Sequence, residues 1–218
     1  MSVSLSVSLF VSVFPKPSQR LRHSSLTALL VLALAPSALA QVRPSGTLIE
    51  RIVAVVDGRP LLLSDVQDLQ RVRGLTDEAA LEAAIDERLM HQEAARLAQA
   101  EVLADEEQRA LEQLLERQPS LREAVSEPGL RRILRRQIAI LKYVEFRFRP
   151  QLRVSDQQVR AAFEADPAAG DSWEAEKGKL RERLERRALD ERVEAWVREL
   201  RGRAEVRYVG RDPASGGP

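Results

Sequence analysis

RIVAVVDGRPLLLSDV, residues 51–66, places a strand, a tight turn, a second strand and a helix start in direct succession. Ile52, Val53, Val55 and Val56 are β-branched and suit a buried strand. Asp57-Gly58 is a two-residue hairpin signal, because Gly tolerates positive φ. Pro60 has no N–H to donate, so it marks an edge or the start of the return strand, Leu61 to Leu63. Ser64 is the expected cap of the following helix, with Gln67 three positions on as its reciprocal partner.

Upstream of this stretch, residues 1–40 contain no acid. Lys16, Arg20 and Arg22 precede an apolar run from Leu26 to Leu34, Pro36 breaks it, and Ala38-Leu39-Ala40 offers small residues at the positions a signal peptidase reads. The pattern predicts a signal peptide cleaved after Ala40, and hence a periplasmic protein. The run is shorter than the roughly 20 apolar residues a membrane span needs, so no stable membrane insertion is expected. The whole chain carries +1, and removal of three leader charges leaves −2 on the exported portion. Cysteine is absent, so an exported form relies on its core rather than on disulfides.

Downstream, Thr76 opens a predicted helix to about Gln99, with Leu81, Ile85 and Leu89 four apart and Ala84, Met90 and Leu97 widening the face. A second runs from about Asp105 to Arg117 and buries Leu111, Leu114 and Leu115. Ser120 with Glu123 reads as a capping box for a short helix, and Glu127-Pro128-Gly129 as a break. Leu130 to about Phe148 is helical, ended by Pro150. Ser155 with Gln158 caps another short helix, and 166–172 form a loop. Trp173 to Arg201 is a long charged helix, and Ala204 to Val209 a short strand. The tail, 210–218, is expected to be disordered, and the segment 41–47 to be a flexible N-terminus of the exported chain.

Strands therefore lie at both ends, with helices between. A two-stranded hairpin alone is marginal in water, and the last strand is its natural third member. The expected fold is mostly α with a small antiparallel β-sheet, in which the N-terminal hairpin pairs with the C-terminal strand. One domain spans 48–209, with a helical body over 64–165 and a closing helix and strand over 173–209.

Catalytic chemistry finds little support. The exported portion holds one histidine, His91, and no cysteine, which excludes a cysteine nucleophile and a His-pair metal site. There is no Gly-x-Ser-x-Gly string and no phosphate-binding Gly-rich loop. No catalytic residue, cofactor or metal is expected.

Charge is unevenly placed. Residues 74–127 hold fourteen acids and five bases, and residues 129–153 hold eight bases and one acid. Either two helical layers neutralise each other, or Arg131, Arg132, Arg135 and Arg136 line an exposed basic surface. A leader argues against nucleic acid as the partner. Tyr143, Phe146 and Phe148 cluster at the end of the basic helix, as a core plug or as an exposed apolar wall. Leu89, Met90 and Leu134 are further candidates for a peptide-binding surface of apolar groups ringed by charge.

Several strings resemble the SurA-like periplasmic chaperones, specifically their N-terminal domain family. IVAVVDGRPLLLSDV is similar to that family's opening hairpin and first helix, LEAAIDERLMHQEAARL to its second helix, and RPQLRVSDQQVRAAFEA to the segment leading into a parvulin prolyl-isomerase domain. Trp173 to Val209 resembles its final helix and closing strand. Only seven residues separate Ala165 from Trp173, where a parvulin domain would need about 100. The resemblance therefore implies the chaperone module without the isomerase. It also places Ala104 where the family carries a Ser or Thr cap. The function it implies is ATP-independent holding of unfolded or nascent envelope proteins, outer-membrane proteins among them. A scaffold for one folded envelope partner is the alternative, and a homodimer through the apolar face a third possibility.

Overall fold

A computed structural model describes residues 50–165 and 172–210. The expected signal peptide, the 41–47 segment, all but Ser172 of the 166–172 loop and all but Gly210 of the tail lie outside the described residues. The described residues belong to one compact unit that begins at Glu50.

The hairpin forms as the sequence predicts. Strand β1 (Ile52–Val56) pairs antiparallel with β2 (Arg59–Leu62), with Val55 opposite Pro60 and Ala54 opposite Leu61. The register shifts between Ile52 and Ala54. Asp57 (φ 48°) and Gly58 (φ 75°) both lie in the left-handed region, the conformation of a two-residue turn that matches strand twist. Strand β3 (Val206–Tyr208) adds to the other side of β1, giving the order β2-β1-β3. The pairing extends past the strand ends. Asp57 N–H donates to Glu205 O and Val209 N–H to Val53 O, each at 2.9 Å. Asp57 Oδ1 also accepts from Glu205 N–H at 2.9 Å, so the turn residue ties the closing strand as well.

Helix α1 (Leu63–Arg73) begins one residue before the predicted cap, and its start corrects the Ser64–Gln67 expectation. Leu62 occupies the cap position with no side-chain bond. Ser64 Oγ instead donates to the Glu50 carboxylate at 2.6 Å, and the same carboxylate accepts from Ser64 N–H at 3.4 Å. A negative group from before the hairpin thus meets the first turn, where free N–H groups and the helix dipole favour it. Gly74, at φ 64°, ends α1 in the left-handed conformation.

Helix α2 (Asp77–Ala94) is capped by Thr76 as expected, its Oγ1 accepting from Ala79 N–H at 3.4 Å. It stops before Gln99. A 3₁₀ turn (Ala98–Ala100) follows, and Ala94, Ala100 and Ala139 form a small-residue cluster that admits the turn close to the next long helix. Helix α3 (Ala104–Arg117) has Leu103, not Ala104, at its cap. The reciprocal half of a capping box survives: Glu106 accepts from Leu103 N–H at 2.9 Å. Ser120 makes no cap bond to the single-turn α4 (Leu121–Ala124), contrary to the Ser120–Glu123 expectation.

Helix α5 (Glu127–Arg147) takes in the Glu127-Pro128-Gly129 string that reads as a break. Pro lies in the first turn, where its missing N–H costs nothing. Ser126 is the cap, its Oγ accepting from Gly129 N–H at 3.3 Å. After a 3₁₀ turn (Arg149–Gln151), α6 (Asp156–Glu164) carries the predicted capping box: Ser155 N–H donates to Gln158 Oε1 at 2.8 Å, and Gln158 N–H to Ser155 Oγ at 3.2 Å. Helix α7 (Trp173–Arg203) spans about 46 Å at 1.5 Å per residue.

Two ends of α7 have different neighbours. Its first half packs with α6, where Val159 is fully buried and Phe163 meets Trp173 edge-to-face at 5.5 Å. Its second half packs on α2, and Val193, Trp196 and Leu200 of that half are buried. A second cluster joins α3, α4 and α5 through Leu111, Leu114, Leu121, Leu130 and Leu134.

Candidate functional site

The aromatic cluster at the end of α5 is a plug. Tyr143 stacks on Trp196 of α7 at 4.8 Å, and Phe148 meets Trp196 edge-to-face at 5.4 Å. Arg192 lies over the Phe148 ring at 4.7 Å. Phe148 is 2% exposed and Tyr143 half-buried, whereas Phe146 is 53% exposed. Leu89, Met90 and Leu134 are also core residues. Of the six apolar residues proposed from sequence to hold a peptide, Phe146 is therefore the exposed one. The correction has a simple cause. Helix α2 is flanked by α1, α5 and α7, so buried residues occur all round it and its apolar stripe is covered.

The basic residues of α5 meet the acidic layer, the first of the two arrangements open from sequence. Arg135 donates to Glu107 at 2.7 Å, and Arg131 to Glu107 at 3.2 Å, Glu127 at 2.8 Å and Gln108 at 2.8 Å. Arg136 donates to Glu87 at 2.8 Å, and Arg73 does so from α1 at 2.8 Å. Arg132 lies 3.6 Å from Asp65 and 3.7 Å from Asp68. Glu87 and Glu107 are buried, and a buried carboxylate is retained only with such partners. The four arginines do not form the unopposed basic surface that was the other possibility.

A third junction, not visible in the sequence pattern, locks the closing segment. Arg201 of α7 donates through Nε to Asp86, through Nη1 to Glu82 at 2.7 Å and through Nη2 to the Glu82 carbonyl at 2.9 Å. Burial works to lower the Arg201 pKa, yet the hydrogen bonds to Asp86 and Glu82 raise it above the ordinary arginine value. Burial raises Asp86, against the pull of Arg201.

Solvent meets apolar groups on the sheet. Side chains alternate across a strand. Ala54, Val56 and Leu61 are buried toward the helices, so Val53 and Val55 point outward, where they are only partly buried. Register places Pro60 and Arg207 beside Val55, and Val209 beside Val53, on that same outer face. Val209 is 50% exposed, and Ile52 at the strand start is 42% exposed. An antiparallel sheet with one solvated face ordinarily carries polar residues there, so this apolar outer face is the feature that stands out. The β-branched run Ile52–Val56 holds the signal for it: five apolar residues in a row leave some on each side of the sheet.

Among the described residues, no cluster of three or more His, Asp or Glu is placed to hold a metal ion, and no helix is long and apolar enough to cross a membrane. Comparison with known proteins found no family model that matches the chain and no curated protein that matches it.

Proposed function

We propose that this chain is an ATP-independent chaperone of the periplasm, related to the SurA N-terminal domain family and lacking its isomerase, that holds unfolded exported proteins. The observation that carries the reading is the apolar outer face of the sheet, formed by Val53, Val55, Pro60 and Val209. Apolar contact carries no sequence code, so such a face suits many unfolded chains. Arg51 and Arg207 beside it are exposed and keep the face wet at its rim. The hairpin, the helical body and the strand that returns to the hairpin follow the order that the resemblance implies. The leader pattern of residues 1–40 supports the compartment.

Holding requires no catalysis. A ligand that binds only the unfolded client lowers the free concentration available for aggregation. The test is light scattering of an unfolded β-barrel protein diluted from denaturant. A near-stoichiometric amount of this protein is expected to slow the rise of scattering, and an unchanged rise at molar excess counts against the proposal. A pull-down from periplasmic extract separates the scaffold alternative: many substoichiometric bands fit a chaperone, one stoichiometric band a scaffold.

A further inference from the structure

In the seam between α1, α2 and α5, Arg88, Arg132 and Arg136 lie beside Asp65, Asp68 and Glu87. Arg88 of α2 and Arg132 and Arg136 of α5 converge on the single carboxylate of Asp65, at 3.6, 3.6 and 3.7 Å. All three distances exceed a hydrogen bond. Arg136 is satisfied elsewhere, by Glu87, but no hydrogen bond to Arg88 or Arg132 occurs among the described residues. Burial lowers the Arg88 pKa, with Arg136 the next cause and Arg59 of β2 in the same sense, against the opposing pull of Asp65 and Glu87. Arg88 is mostly covered while Arg132 is half exposed, so the cluster opens to solvent on the Arg132 side.

A guanidinium offers several N–H groups in a fixed fork and is costly to bury without acceptors. The Asp65 carboxylate lies beyond hydrogen-bond distance of all three forks. We infer that the Arg88–Arg132–Arg136 cluster is a binding site for a tetrahedral oxyanion of the phosphate class, whose oxygens accept from the forks that Asp65 leaves unfilled. The inference is independent of the client-holding proposal, since it uses a different face and a different chemistry. The phosphate group can be free or carried on a phospholipid headgroup.

Titration calorimetry of the full chain with inorganic phosphate, at constant ionic strength with chloride as the balancing anion, tests the free form. Cosedimentation with phosphatidylglycerol vesicles, against phosphatidylcholine vesicles, tests the headgroup. Saturable binding with a Kd of about 1 mM or tighter is expected in at least one arm, with the arginine Nε–H resonances of Arg88 and Arg132 shifting in step. Arg132→Gln and Arg88→Gln should each weaken it at least about tenfold, while Arg117→Gln, exposed on α3, should not. Arg132→Gln is at a half-exposed position and keeps the test valid if Arg88→Gln fails to fold. Binding in neither arm, or binding that both variants leave unchanged, overturns the inference.

Discussion

The Tyr208 hydroxyl donates a 2.9 Å hydrogen bond to the Glu82 carboxylate, joining residues 126 positions apart. Arg201 holds the same carboxylate from α7. Strand β3 is three residues long, too short to fix itself by ladder bonds alone, and this contact pins its end to α2. Tyr208→Phe is expected to destabilise by about 1 kcal/mol, seen as a Tm decrease of about 2–4 °C. In a double-mutant cycle with Glu82→Gln the two losses should not add. Full additivity would show that the contact does not form.

Gly129 gives a test in which two effects oppose. Alanine is the better helix former by about 1 kcal/mol, yet a Cβ at residue 129 would lie 2.4 Å from Asp68 Oδ2. Asp68 cannot simply swing away, because Arg71 and Arg132 hold it at 3.4 and 3.7 Å. Gly129→Ala is therefore expected to destabilise by about 1–3 kcal/mol in urea denaturation. In an Asp68→Ala background, where the shortest contact is gone and only Ser126 Oγ at 3.1 Å remains tight, the same change should cost less.

Burial lowers the pKa of His91, with Arg136 next, Glu87 opposing and Arg88 and Arg59 adding to the fall. The fold thus prefers neutral imidazole. Its contribution is fully present above the unfolded value of about 6.5, because the unfolded chain takes up the proton first as pH falls. Stability should therefore decline as pH drops below about 6.5, and His91→Gln should flatten that part of the profile. An identical slope in wild type and variant between about pH 5 and 7 would place the titrating group elsewhere.

Trp196 and Phe146 separate core from surface among the aromatics. Trp196 is 4% exposed and touches both Tyr143 and Phe148, while Phe146 is 53% exposed. Trp196→Ala is expected to cost about 3–5 kcal/mol and to remove much of the near-ultraviolet circular dichroism. Phe146→Ala should stay within about 0.5 kcal/mol of wild type.

The sequence made legible those elements whose signals are local. Asp57-Gly58 dictates its turn, Thr76 and Ser155 cap their helices with neighbouring N–H groups, and the alternation in 204–209 gives the closing strand. The misread starts have two causes, a partner distant in sequence and a residue whose role depends on position within a turn. Ser64 is drawn off by Glu50, and Pro128 terminates one helix pattern as readily as it opens another. Burial was hardest to read. Periodicity reports that Leu89, Met90 and Leu134 need cover but not whether another helix supplies it. The charge blocks were legible as opposites, whereas the convergence of Arg88, Arg132 and Arg136 on Asp65 arises from three helices meeting.

The client-holding proposal depends on where an unfolded chain touches this protein. A photo-crosslinking residue placed singly at Val55, Val209 or Arg117, irradiated with an unfolded β-barrel client, reads that contact directly. The account predicts strong adducts from Val55 and Val209, on the outer face of the sheet, and little from Arg117 on α3. Adducts at Arg117 with none at the two sheet positions would contradict it.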